Sequence, residues 1–136
     1  MAIEEGRPGC WFRQFEPLLK DMVVVAAGCS ARIGVMQVVG EFILYAANNN
    51  LAVFKKQTRQ TKLYPAPSPI TTVRYTDDIV FVGCQSGDFL VYICDKQDME
   101  LSVISSGKLS SLVAYSSVCH DSFIVGCIDG TIHHVS

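Results

Sequence analysis

The amino-acid sequence predicts an all-β protein, a β-propeller-like array of about three four-stranded blades that forms an incomplete ring. Two observations support this fold class. The apolar residues fall into short runs separated by turn residues, and the segment Val-Gly-Cys occurs at residues 82–84 and again, 43 positions later, at residues 125–127. Strand-rich repeats of about 40 residues are typical of propeller blades, because a single blade cannot bury both of its faces without a neighbour.

The composition favours one compact intracellular domain. The chain has 136 residues, of which 49% are hydrophobic and 18% are charged, and its net charge is -2. Disorder and a chain-wide basic surface for nucleic acid are therefore both disfavoured. The longest apolar runs are far shorter than the ~18 residues of a membrane-spanning helix, and the N-terminus carries Glu4 and Glu5 instead of the basic start of a signal sequence. We expect no membrane segment and a cytoplasmic or nuclear location.

Two regions divide the chain, an N-terminal aromatic docking arm over residues 1–21 and a propeller segment over residues 22–136. Large apolar side chains recur in the arm at helical spacing, although Pro17 would interrupt a continuous helix. They are Trp11, Phe12, Phe15, Leu18 and Leu19. These side chains either cover one end of the chain's own sheets or bind a protein partner as an exposed apolar patch.

The first blade is predicted over about residues 32–64. Its strands, together with an early strand that precedes the blade, are residues 22–27, 33–39, 42–47, 51–56 and 60–64. Gly40 and Glu41 form one turn, and three asparagines, residues 48–50, form the next. Asparagine tolerates positive φ and bonds its own backbone, so an asparagine triplet between two apolar runs predicts a tight turn.

The second blade is predicted over about residues 70–106, after three prolines at alternate positions, 65, 67 and 69, that favour an extended crossing between blades. Its strands are residues 70–75, 79–84, 89–94 and 101–106. Asp77-Asp78 and Ser86-Gly87-Asp88 are its strongest hairpin signals.

The third blade, about residues 111–136, has only three predicted strands, residues 111–117, 123–127 and 131–135. With the early strand at residues 22–27 the chain has twelve predicted strands. That number equals three blades only if the early strand joins a blade whose other strands come from elsewhere in the sequence or from another chain. An open arc of blades would leave apolar faces uncovered. We therefore expect a protein partner or a second copy of the chain to complete the propeller.

The second blade resembles a WD40 repeat. Residues 79–95, Ile-Val-Phe-Val-Gly-Cys-Gln-Ser-Gly-Asp-Phe-Leu-Val-Tyr-Ile-Cys-Asp, follow the strand, Gly/Asp turn and strand with which such repeats end. Cys94-Asp95 stands in place of the family's Trp-Asp, and prolines stand in place of its Gly-His pair ahead of the first strand. Asp129 matches the family's turn aspartate in the third blade, and Asn49 occupies the corresponding turn of the first.

The WD40 resemblance covers roughly residues 32–136 and implies a non-catalytic protein–protein interaction scaffold within a larger complex. Because the family's histidine is absent, it also implies that the buried His–Asp hydrogen-bond network of family blades is missing. A second, shorter resemblance lies in residues 28–35, 42–47 and 51–54, which are similar to the opening of the twin-propeller subunits of Elongator. That similarity implies an RNA-associated module in a tRNA-modifying assembly.

The residues that could support catalysis or metal binding form no recognisable site in the sequence. His133 and His134 are adjacent and point to opposite faces of a strand, and no phosphate-binding glycine motif occurs. The six cysteines include no C-x-x-C pair, so we interpret them as structural thiols, with disulfides or metal ligands as the alternative. We expect no enzyme activity, no cofactor, no metal and no small-molecule substrate.

One basic cluster lies on the hairpin between the last two strands of the first blade. It consists of Lys55, Lys56, Arg59 and Lys62. These side chains are predicted to project together into solvent, where they either keep an edge soluble and unpaired or contact RNA phosphates or an acidic partner.

Overall fold

The computed structural model describes residues 29–30, 34–95, 97–120 and 122–136. All regular secondary structure in these ranges is β, in three antiparallel sheets, so the predicted all-β fold class is confirmed. The predicted early strand at residues 22–27 and the docking arm at residues 1–21 lie outside the described residues. No helix long and apolar enough to cross a membrane is found in the part of the chain that is described.

The first sheet, blade 1, contains four strands in sequence order. They are β1 (Met36–Val39), β2 (Phe42–Ala47), β3 (Asn50–Lys55) and β4 (Gln60–Pro65). The tight asparagine turn is present, since Ala47 pairs directly with Asn50 and Asn48 has a φ of 58°. Strand β4 extends one residue further than predicted, to Pro65. Because β4 is the last strand of its sheet, the missing amide hydrogen of proline leaves the ladder intact.

The second sheet, blade 2, repeats the same order. Its strands are β5 (Ile70–Thr76), β6 (Ile79–Cys84), β7 (Asp88–Cys94) and β8 (Leu101–Lys108). Thr76 pairs with Ile79, so Asp77 and Asp78 form a two-residue turn with φ of 45° and 65°. Positive φ at both central positions matches the right-handed twist of a hairpin.

The third sheet, blade 3, has three described strands in the order β11-β10-β9. They are β9 (Val113–Cys119), β10 (Ser122–Cys127) and β11 (Ile132–Val135). The described residues of blade 3 form three strands, the number predicted for residues 111–136. The Val-Gly-Cys segments end β6 and β10, the second strand of their respective blades.

The three blades stack face to face, and the first strand of blade 2, β5, lies next to both β1 and β9. Successive side chains of β6 point to opposite faces of the sheet. Val80 and Val82 belong to the apolar cluster shared with blade 1, and Phe81 belongs to the cluster shared with blade 3. Blade 2 is therefore covered on both faces, and blades 1 and 3 each have one face turned away from it.

Candidate interaction surfaces

The junction between blades 1 and 2 is mainly apolar. Leu44 and Val53 of blade 1 are buried against Val73 and Val82 of blade 2. At its outer side, Tyr64 accepts a hydrogen bond from the amide of Leu101 at 3.1 Å. The Tyr64 ring also packs edge-on against Tyr92, whose burial raises its pKa to about 12.

The junction between blades 2 and 3 combines stacked aromatic rings with buried hydrogen bonds. Phe81 stacks on Phe123 with ring centroids 5.3 Å apart. The buried hydroxyls of Thr72 and Ser116 are 2.8 Å apart, and Arg74 Nε donates to the Ser116 carbonyl at 2.8 Å. Together these contacts fix the position of β9 against β5, because a buried hydroxyl without a partner would cost about 1–3 kcal/mol.

A glycine allows close approach at this second junction. A Cβ placed on Gly83 would lie 2.5 Å from Val113 Cγ1 and 2.9 Å from Thr72 Cγ2. Val113 is fully buried. Blade 3 therefore packs directly on the backbone of β6 at the first Val-Gly-Cys segment.

A serine in front of each blade bonds to the turn that follows the blade's second strand. Backbone amides in these turns donate to a serine Oγ that lies 18 residues earlier in the sequence. The pairs are Asn48 with Ser30 at 2.9 Å, Ser86 with Ser68 at 3.0 Å, and Asp129 with Ser111 at 3.2 Å. These serines lie ahead of the first strand of each blade. The WD40 resemblance places a Gly-His pair in that region, and this chain lacks that pair.

The repeated serine contact was not identified in the sequence. Its only signal is the constant spacing of 18 residues between each serine and its turn residue. Serine is common in loops, so that spacing becomes informative only after the turns have been located.

Asp129 organises the turn of blade 3. Hydrogen bonds from the hydroxyls of Ser110 and Thr131, and from the Thr131 amide, hold the pKa of its carboxyl well below its usual range. The aspartate that matches the WD40 turn position is thus a structural residue on an exposed turn.

The outer face of blade 3, turned away from blade 2, exposes large apolar side chains. Tyr115, Gly126 and Ile132 form a row across the sheet, because Gly126 pairs with both of the others. Tyr115 is 65% exposed, Ile132 73% and the nearby turn residue Ile128 69%. We call this surface, made of Tyr115, Gly126, Ile128 and Ile132, the blade 3 end face.

The outer face of blade 1 is also apolar. Met36, Val38 and Leu63 are about half exposed or more, at 49%, 62% and 54%. They lie on the same face as a cluster formed by Tyr45, Ala52 and Phe54. We call Met36, Val38 and Leu63 the blade 1 end face.

The four residues of the predicted basic cluster do not share one environment. Lys62 pairs with Glu100 of blade 2, and this contact raises the pKa of Lys62 and lowers that of Glu100. Lys56 Nζ donates to the Gly40 carbonyl at 3.3 Å. Lys55 is half-buried, and Arg59 is exposed in the hairpin turn at a φ of 56°. The structure brings Lys62 to the cleft between blades and leaves Arg59 in the turn.

The other residues considered for chemistry are dispersed. Among the described cysteines Cys84, Cys94 and Cys127 are buried, whereas Cys29 and Cys119 are exposed; all five are free thiols. Burial raises the pKa of Cys94 to about 11. In the described ranges no three His, Cys, Asp or Glu side chains are grouped so that they could hold a metal ion. The five apolar residues of the docking arm lie outside these ranges.

The clefts between the blades are small. The cleft of about 270 Å³ between blades 1 and 2 is lined by Val39, Phe42, Tyr75, Asp78 and Met99 among others. A second, of about 150 Å³, lies at the outer side of the other junction. Both volumes fall below the roughly 300 Å³ at which small-molecule sites usually begin.

No protein-family model matches the sequence, and no curated protein matches it with significance. Solved structures do match. A chain of the mitotic checkpoint complex is similar over 80% of this chain and 35% of its own, with 15% identity and a TM-score of 0.66. The computationally designed Ika8 protein matches over 74% of this chain and 31% of its own, at 19% identity and a TM-score of 0.64.

Sqt1 from Saccharomyces cerevisiae matches over 69% of this chain and 28% of its own, at 12% identity and a TM-score of 0.60. The chain thus spans about a third of the length of each of these three chains. At such low identities the likeness concerns the fold. The three stacked sheets have the fold of part of a β-propeller.

Proposed function

We propose that this chain is a non-catalytic protein–protein interaction scaffold and a subunit of a larger intracellular complex. The observation that carries the proposal is the blade 3 end face, where Tyr115, Ile128 and Ile132 are each at least 65% exposed. Large apolar side chains grouped on one sheet face mark an interaction surface when they are not needed for the protein's own core. The intracellular location is part of the proposal and rests on composition and on the free thiols.

Isolation of complexes under two salt conditions tests the proposal. A tagged chain expressed in its source cells should retain a protein in stoichiometric amount in both low and high salt, because burial of apolar surface depends little on ionic strength. The Ile132→Asp variant should lose that protein. Val103→Asp is the matched control, since Val103 is also exposed, at 55%, but lies on the outer strand β8. Equal retention by Ile132→Asp and by the unchanged chain would contradict the proposal.

The RNA-associated alternative rests on the basic cluster and on the short Elongator resemblance. The comparisons with solved structures add no support for Elongator. The ion pair between Lys62 and Glu100 also reduces the net positive charge available to a phosphate. If RNA does bind here, replacing Lys55, Lys56, Arg59 and Lys62 by Gln should weaken binding and flatten its salt dependence, as measured by fluorescence anisotropy. Unchanged RNA affinity in that variant would exclude this alternative.

A further inference from the structure

The cleft between blades 1 and 2 combines an apolar floor with an acidic rim. Its volume is about 270 Å³, and Val39, Phe42 and Met99 supply its apolar surface. Among the described residues that line it, Glu41 and Asp78 are the charged ones, and both are carboxylates. We call this site the acidic cleft. A cavity of roughly 150 Å³ already accommodates a molecule the size of benzene, so the acidic cleft can receive one long side chain.

Tyr75 fixes Asp78 in the wall of the acidic cleft. The Tyr75 hydroxyl donates to Asp78 Oδ1 at 3.0 Å. Burial, and then this hydrogen bond, raise the pKa of Tyr75, so the hydroxyl keeps its proton at neutral pH and remains the donor. Asp78 itself is half-buried. Because a carboxylate can accept about four hydrogen bonds, Asp78 can hold the Tyr75 hydroxyl and a bound guanidinium at the same time.

The floor of the acidic cleft is also held in place. Met99 is 3% exposed and belongs to the buried cluster shared by blades 1 and 2. The Met99 amide donates to the Asp95 carbonyl at 2.7 Å, and Asp95 Oδ1 accepts from the Gln97 amide at 2.9 Å. The connection between β7 and β8 thus folds around Asp95. The acidic cleft is therefore preformed, and a ligand does not have to order this connection when it binds.

The lining favours a side chain with an apolar stem and a positively charged end. A wholly apolar side chain would cover the half-buried carboxylate of Asp78 without supplying a counter-charge, which is unfavourable. An acidic side chain would be repelled by both carboxylates. Lysine and arginine match both the floor and the rim. Arginine fits better, because its planar guanidinium can stack on the ring of Phe42 or Tyr75 while it donates to a carboxylate.

We propose that the acidic cleft binds an arginine side chain from an exposed segment of a partner protein, with the stem against Val39 and Met99 and the guanidinium towards Asp78. This is a second interaction site, separate from the blade 3 end face. Asp78 supplies the stronger ion pair because it is half-buried, whereas Glu41 is exposed and solvent weakens its attraction for the guanidinium.

Titration with a Gly-Arg-Gly tripeptide, blocked at both ends, tests the proposal. The full chain carries isotope-labelled methionine methyl groups, and the Met99 signal is assigned by its loss in Met99→Leu. This signal should shift and saturate with a dissociation constant on the order of 1 mM. The signal of Met36, on the blade 1 end face, should stay in place. The corresponding lysine peptide should bind more weakly, and the leucine peptide should leave the Met99 signal unchanged.

Two substitutions in one turn separate the acidic cleft from the general surface charge. Asp78→Asn should raise the dissociation constant roughly 10-fold or more, since a hydrogen-bonded ion pair is lost at a half-buried position. Asparagine tolerates positive φ as aspartate does, so the turn should still form. Asp77 is exposed and is not among the described lining residues; Asp77→Asn should change the constant by less than about threefold. Equal losses in both variants would overturn the proposal.

Lys56→Gln should act in the opposite direction. Lys56 Nζ donates to the carbonyl of Gly40, in the turn that also carries Glu41. Removing this positive charge should tighten binding of the arginine peptide roughly twofold to threefold, and Glu41→Gln should weaken it by a similar factor. Lys56 and Glu41 are both exposed, so both variants should fold. Unchanged affinity in both would overturn the placement of the guanidinium and the proposal with it.

Free arginine distinguishes a peptide arginine from the amino acid. Its own α-carboxylate would be repelled at the acidic rim, so it should bind more weakly than the blocked peptide; equal or tighter binding would overturn a protein as the source. A Met99 signal that does not move at about 10 mM peptide, or that moves equally with the leucine peptide, would overturn the site itself. Ile132→Asp should bind the arginine peptide as the unchanged chain does, so failure here leaves the proposed scaffold function at the blade 3 end face standing.

Discussion

Replacing Gly83 by Ala should destabilise the protein through a clash at the junction of blades 2 and 3. The added Cβ would meet Val113 Cγ1 at 2.5 Å, Val113 Cβ at 2.8 Å and Thr72 Cγ2 at 2.9 Å. Val113 is fully buried and Thr72 is 1% exposed, so neither can move away into solvent.

The magnitude follows from two opposing effects. Overpacking of a closely packed core typically costs about 1–3 kcal/mol. Alanine recovers roughly 0.5–1 kcal/mol, since glycine loses more conformational freedom on folding. With three contacts below 3.0 Å, we expect the clash to be near or above the upper end of its range. The free energy of unfolding should therefore fall by about 2 kcal/mol.

A double-mutant cycle identifies the clash as the cause. Val113→Ala alone should cost about 2 kcal/mol, because it deletes two buried methyl groups and leaves a cavity. In the Gly83→Ala, Val113→Ala double variant the 2.5 Å contact is absent. The double variant should consequently be more stable than the sum of the single effects by at least about 1 kcal/mol.

Urea denaturation at one fixed protein concentration measures these values, since self-association would add to the apparent stability. Gly126→Ala is the matched control. It occupies the same place in the second Val-Gly-Cys segment, but its Cβ would meet only the exposed Tyr115 ring, and its stability should change by less than about 0.5 kcal/mol. Unchanged stability of Gly83→Ala, or additive effects in the cycle, would refute the packing argument.

Three further predictions concern the thiols, alkaline pH and the repeated serine. In native protein treated with iodoacetamide near pH 8, exposed Cys119 should be labelled quickly. Buried Cys84 and Cys94 should react only after unfolding, because burial shields them and raises their pKa values. Peptide mass spectrometry measures the labelling, and equal reaction of all three thiols would count against this prediction. The pKa of Cys94 is about 11 in the fold against 9.0 ordinarily, so the unfolded chain loses its proton first and stability, present below pH 9, should decline by roughly 2 kcal/mol or less as pH approaches 11. The decline should be shallower in Cys94→Ala, and an equal slope in both proteins would reject this thiol as its source. Ser68→Ala removes the acceptor for the Ser86 amide and should lower the free energy of unfolding by roughly 0.5–1.5 kcal/mol. The control variant Ser117→Ala, at an exposed position of β9, should leave the free energy of unfolding unchanged. Equal urea midpoints for the two variants would argue against the serine contact.

The turns and strands were predictable because their signals are local. Asp77 and Asp78 adopt the positive φ values that a two-residue hairpin requires, and the alternation of apolar residues around them determines where each strand runs. The predicted start of β1 was wrong, since the predicted strand began at residue 33 and the described one begins at Met36. Gly34 has a φ of 79°, which lies outside the extended region, so the strand begins only after it.

The contacts between blades were not predictable in the same way. In the sequence Lys62 is predicted to be one of four solvent-facing cations, but its partner Glu100 lies 38 residues away, directly before β8 of another sheet. Tyr64 likewise reaches the Leu101 amide across 37 residues. Such pairs depend on how far each blade is rotated against the next, and no local pattern encodes that rotation.

The two Val-Gly-Cys segments place a glycine in two different surroundings. Glycine inside a strand costs roughly 0.5–1 kcal/mol relative to alanine, and at Gly83 this cost is offset because Val113 occupies the space where a side chain would stand. At Gly126 the same sequence has the same cost, yet in the described structure only the exposed ring of Tyr115 lies over it. Alanine would fit there with a small rotation of that ring. The two glycines thus differ in what covers them, a buried valine of the next blade at Gly83 and the exposed ring of a neighbouring strand at Gly126, and the comparison of Gly83→Ala with Gly126→Ala measures that difference.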